Sequence, residues 1–130
     1  MVYRVDTAGR LTVLYTFSGG ADGGTPYAGL MHDAACNLYG TAQSGGAANA
    51  GVVYKLDQAG QYSVLYTFTG GSDGAGPDAG VISDTAGNLY GTTFSGGTSG
   101  QGVVYKLDRA GHETVLHNFT GGADGGHPLD

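Results

Sequence analysis

Charge is scarce in this chain, and positive charge most of all. Lysine and arginine number 5 against 11 acidic residues, a net charge of −6 over 130 residues. A chain so poor in cations is not built to bind nucleic acid or an anionic membrane by electrostatic attraction. No apolar run is long enough to span a bilayer as a helix. Tryptophan is absent, and Cys36 is the single cysteine, so an intrachain disulfide is impossible. No segment keeps the i, i+3, i+4 apolar spacing of a packed helix. The chain has no G-x-S-x-G elbow, no phosphate loop and no C-x-x-C pair. Its many paired glycines lack the strand–loop–helix context that phosphate binding needs. No secretion signal precedes the first strand pattern at Val2, which predicts either a cytoplasmic chain or a portion cut from a longer one.

Glycine, in contrast, is abundant: 27 residues, about three times the usual share. The glycines fall at regular intervals because the whole chain repeats every 51 residues. VYRVDTAG begins at Val2, VYKLDQAG at Val53 and VYKLDRAG at Val104. Val2–Val52 aligns on Val53–Val103 without a gap, with 29 identities in 51 positions. Self-similarity at a fixed period marks a repeat architecture, in which each unit buries its faces against its copies.

Each unit reads as strands. In the copy from Ala79, short runs rich in Val, Tyr, Leu, Thr and Phe alternate with Gly, Asp and Asn punctuation. The pattern predicts strands over Ala79–Asp84, Leu89–Ser95, Val103–Asp108 and Glu113–Phe119. Four short antiparallel strands joined as a meander are the unit of a β-propeller, and 51 residues lies near the known propeller periods. The fold class expected is therefore all-β, with propeller-type blades of four antiparallel strands. A β-helix is the alternative, disfavoured because its coils use shorter repeats. Small residues on the first two strands (Ala28-Gly29, Ala79-Gly80, Gly40-Thr41, Gly91-Thr92) suit strands near a central axis. The bulkier Leu14–Phe17 and Leu65–Phe68 suit an outermost strand. The chain divides into a half blade over 1–27, a blade over 28–78, and a blade plus tail over 79–130. These make about two and a half blades in one array, with both terminal faces bare.

The motifs D-x-x-G-N-L-Y-G-T, S-G-G, G-V-V-Y-K-L-D-x-x-G, V-L-Y-x-F and G-G-x-D-G, taken together, resemble the GloVer tandem repeat of bacterial proteins. The resemblance spans essentially the whole chain. It implies an extracellular or cell-surface protein and carries over no catalytic residue. Cys36 departs from the pattern where the other copy has Gly87.

Candidate chemistry is sparse. Asp22, Asp73 and Asp124 occupy equivalent places in the glycine-rich loops between units, where a calcium site per repeat is conceivable. Each loop offers one carboxylate, so Asp-Gly turn formation is the favoured reading. Asp6, Asp57, Asp108, Asp33 and Asp84 precede turns and suit Asx-turn roles. His32, His112, His117 and His127 do not recur between copies. Of the nine tyrosines, most are repeat-equivalent and suit packing. Tyr27 and Phe94 are not, and they are the candidates for stacking on a sugar. No catalytic residue, metal site or cofactor is assigned. The function expected is a non-enzymatic structural or adhesive module that associates with copies of itself. The alternative is a lectin-like, carbohydrate-binding module.

Overall fold

The structure, a computed structural model, describes residues 1–130. It is all-β, with ten antiparallel strands and no helix. The strands are β1 (Val2–Val5), β2 (Leu11–Tyr15), β3 (Met31–His32), β4 (Leu38–Ala42), β5 (Val52–Leu56), β6 (Tyr62–Thr67), β7 (Ile82–Ser83), β8 (Leu89–Thr92), β9 (Val103–Leu107) and β10 (Glu113–Asn118). They form three meander sheets: β1-β2, β3-β4-β5-β6 and β7-β8-β9-β10. No sheet closes on itself.

The hairpins are set by the aspartates that precede them. Asp57 Oδ1 accepts from the amides of Ala59 and Gln61 at 2.9 and 2.8 Å. Asp6 and Asp108 repeat this bond pattern. Asp33 and Asp84 do the same and also accept from the side chains of Asn37 and Tyr39, or Asn88 and Tyr90. These are Asx turns, each closing a tight hairpin and fixing the strand register. Both shared-phase carboxyls are held down to about 2, Asp33 chiefly by the Asn37 amide group and Asp84 by that of Asn88.

The sheets pack face to face through their third strands. β5 is the most buried strand, and β9 buries Val103, Tyr105 and Leu107. Successive residues on a strand point to opposite faces, so β5 serves two packing layers. Val52, Tyr54 and Leu56 face the first sheet, and Val53 faces the third. That explains the near-continuous apolar run VVYKL, which a one-sided strand would not need.

Three expectations require adjustment. The strand expected over Ala79–Asp84 is only Ile82–Ser83, because Ala79-Gly80-Val81 packs without ladder partners. The bulky fourth strands are sheet edges and largely half-exposed; the tightest packing lies one strand further in. Gly40 and Gly91 owe their small size to their own sheets. Gly40 pairs with Tyr54 and Gly91 with Tyr105, and each tyrosine ring lies over its glycine. The first strands do approach one another: a Cβ on Gly80 would sit 3.0 Å from the Gly29 carbonyl oxygen.

Candidate functional site

Two junctions join the three sheets, and they are built alike. In the first, Val2, Leu14, Tyr15 and Phe17 pack against Ala42, Val52, Tyr54, Leu56 and Tyr62. In the second, Val53, Leu65, Tyr66 and Phe68 pack against Leu89, Val103, Tyr105 and Leu107. Each residue of the second set lies 51 positions after a residue of the first junction, Leu89 after Leu38, which also packs there. The Phe17 ring meets Tyr54 edge-on with centroids 5.1 Å apart, and Phe68 meets Tyr105 at the same 5.1 Å. A β-bulge in each fourth strand re-aims one leucine, Leu14 and Leu65 into the two junctions and Leu116 onto the bare face of the third sheet. The register shifts between Val2 and Tyr3, between Val53 and Tyr54, and between Val115 and His117, leaving Leu14, Leu65 and Leu116 unpaired in the ladder. A bulge re-aims a side chain in this way, and nothing in the strand periodicity announced it.

Loops latch the junctions. The Gly46 amide donates to the Gly20 carbonyl at 2.9 Å, and Gly97 donates to Gly71 at 2.9 Å. Gly45 has φ of 87° and lies so close to Gly23 that a Cβ would come within 2.5 Å of its Cα. Only glycine meets both demands. In the second junction the Thr41 hydroxyl donates to the Ala79 carbonyl at 2.8 Å.

The junctions differ at Ala42, whose counterpart is the buried Thr93, and more consequentially at Tyr62. Tyr62 stacks on Tyr15 at 4.0 Å and donates to the Asp22 carbonyl at 2.5 Å. Its counterpart is Glu113, whose Oε1 is buried and has no hydrogen-bond partner. Burial, and then the Asp73 charge, push the Glu113 carboxyl up to about 7. The Tyr105 hydroxyl is likewise buried and unpartnered.

The two outer faces repeat the buried ones. On the first sheet Tyr3, Val5 and Leu11 are 52–58% exposed; their counterparts Tyr54 and Leu56 are 1% exposed, and Tyr62 is half-buried. On the third sheet Ile82 and Leu116 are 70% and 52% exposed, and their counterparts Met31 and Leu65 pack into the second junction. A cleft of about 240 Å³ on that face is lined by Gly80, Ile82, Tyr90, Thr92, Val104 and Asp130, among others.

The loop aspartates are engaged in their turns. Asp22 accepts from the Ser18 amide, the Ser18 hydroxyl and the Tyr15 hydroxyl at 2.9, 2.5 and 2.9 Å. The Ser18 hydroxyl foremost holds its carboxyl down to about 2. Asp73 accepts the same three bonds from Thr69 and Tyr66. Burial opposes ionisation there, yet these donors keep the carboxyl below its ordinary value. Asp124 accepts from the Thr120 amide and hydroxyl, with His117 Nε2 at 3.1 Å. Nowhere do three His, Cys, Asp or Glu side chains gather as a metal-ligand group.

Tyr27 is 71% exposed on the loop before β3. Phe94 is 37% exposed, and its ring lies 4.6 Å from that of His127. The structure does not bring the two into one site. A larger cleft, about 600 Å³, opens at the hairpin ends of the second and third sheets beside Asp33, Tyr39, Lys55, Asp84 and Arg109, and neither Tyr27 nor Phe94 lines it. His112 lies 3.3 Å from Asp108, within its own hairpin.

No curated protein and no solved structure matches the chain. A family model does, over residues 1–130, and its description is the Gloeobacter/Verrucomicrobia repeat. The match covers the whole chain, and the chain belongs to the Gloeobacter/Verrucomicrobia repeat family.

Proposed function

We propose that the chain is a non-enzymatic structural module of propeller type, which acts by self-association of its sheets at the bacterial surface. The observation that carries this reading is the identity of plan between buried and bare faces. Residues that fill the two internal junctions recur, exposed, on the outer sheets. Contiguous apolar surface of that kind marks an interaction site. The family resemblance supports the surface location. The turn aspartates and junction tyrosines all have structural work, which supports a non-enzymatic role. Electron microscopy of the concentrated chain tests the reading: rings or filaments are expected, and dispersed single-chain particles would contradict it.

A glycan-binding role is the second reading, with the bare ring of Tyr27 in its favour. A glycan array separates the two. Binding that is lost in Tyr27→Ala supports the lectin reading, and an array without signal removes it.

A further inference from the structure

We infer that copies of this chain join head to tail, the outer face of the β7–β10 sheet of one copy docking on the outer face of the β1–β2 hairpin of the next. The inference rests on the self-association just proposed and adds its polarity.

The two outer faces are different surfaces. The first sheet presents Tyr3, Val5 and Leu11, the counterparts of Tyr54, Leu56 and Tyr62. Those three belong to the receiving side of the first junction. The third sheet presents Ile82, Val104, Leu116 and Phe119, the counterparts of Met31, Val53, Leu65 and Phe68. That set belongs to the donating side of the second junction. Placing the third sheet of one copy on the first sheet of another therefore repeats an interface that the chain already makes twice. Pairing like with like repeats nothing. Phe119 would meet Tyr3 as Phe17 meets Tyr54 and as Phe68 meets Tyr105.

A polar group points to the same occupant. Thr92 Oγ1 is buried without a hydrogen-bond partner, whereas its counterpart Thr41 donates to the Ala79 carbonyl. The counterpart of Ala79 is Asp130, which lines the cleft beside Thr92. A second copy covering this face would hold Asp130 against Thr92 and complete the bond. Such an interface is heterologous, so an open assembly keeps one free face of each kind, at its two ends, until a ring closes.

Two surface variants test the polarity. Ile82→Arg/Leu116→Arg blocks the donating face, and Tyr3→Arg/Val5→Arg blocks the receiving face. All four side chains are more than half exposed. Circular dichroism and melting verify the fold, and Ile82→Ser with Val5→Ser provides a milder pair. Light scattering after size exclusion should show large species for the parent chain and monomers for each variant alone. An equimolar mixture should give a species of twice the 13.0 kDa chain mass and nothing larger, since only one junction can form. A dimer from either blocked variant alone would overturn the head-to-tail polarity while leaving self-association standing. Monomers in the mixture, with the parent chain assembled, would also overturn it. A parent chain monomeric throughout would overturn the self-association on which it rests.

Discussion

Tyr54 and Gly40 face each other across adjacent strands, and a Cβ at Gly40 would lie 2.6 Å from the tyrosine oxygen. Tyr105 and Gly91 repeat the relationship at 2.5 Å. An aromatic ring laid over a cross-strand glycine covers the exposed backbone and helps to pin the register. Gly40→Val and Gly91→Val should each cost roughly 1–3 kcal/mol, because the ring must leave its place in the junction. Thermal melts of both variants check this, and an unchanged midpoint for either would contradict the packing described.

Cys36 has φ of 61°, and Gly87 occupies the same turn position with φ of 83°. A side chain in this left-handed region costs roughly 1 kcal/mol. Cys36→Gly should therefore stabilise the chain by about that amount. Denaturant titration gives the value, and a destabilised variant would show that the thiol makes contacts worth more than the strain.

Glu113 gives the fold a pH dependence on the neutral side. Its folded-state carboxyl titrates near 7, against 4.5 for the free group. The native state thus holds the proton more tightly than the unfolded chain, and stability falls as pH rises from about 4.5 to about 7. Solvent screening limits the loss to the order of 1 kcal/mol. Asp22, Asp33 and Asp84 have lowered values, so their contributions are present above 3.8 and are lost as pH falls toward 2. Stability should peak near pH 4.5 to 5. Glu113→Gln should flatten the decline above the peak, and Glu113→Tyr, which copies Tyr62, should flatten it and raise the midpoint. Melts from pH 4 to 8 test both, and an identical slope in Glu113→Gln would assign the decline to another group.

Metal removal should leave the fold unchanged. Both carboxylate oxygens of Asp22, Asp73 and Asp124 already accept turn bonds. Calcium needs six to eight oxygens, and binding it would cost those bonds. The melting temperature in EDTA should match that in calcium, and a drop in EDTA restored by calcium would contradict the turn reading. Removing the turn bonds should be felt: Asp73→Ala deletes three charge-assisted bonds from the Thr69 amide, the Thr69 hydroxyl and the half-buried Tyr66 hydroxyl, and should cost about 1–3 kcal/mol.

Much of this was legible because a repeat states its pattern more than once. The hairpins at Asp57 and Asp108 and the turns at Asp33 and Asp84 follow from Asx chemistry in the residues themselves. The third strands follow from VVYKL, whose lack of alternation signalled burial on two faces. The first strands were overread, since apolar side chains in Ala79-Gly80-Val81 mark packing and not ladder pairing. The bulges at Leu14, Leu65 and Leu116 were invisible, because an unpaired residue in a strand leaves no trace in composition. Glu113 was missed for a different reason. It is a single departure at a position held by Tyr62 in the previous copy, and its meaning depends on Asp73, 40 positions away, lying across a junction.

The account depends above all on the bare faces of the first and third sheets being docking surfaces. The most direct test is the mass of the 130-residue chain by light scattering after size exclusion, followed over a hundredfold dilution. The account predicts species heavier than 13.0 kDa that dissociate as the chain is diluted. A compact, folded monomer at every concentration would contradict it.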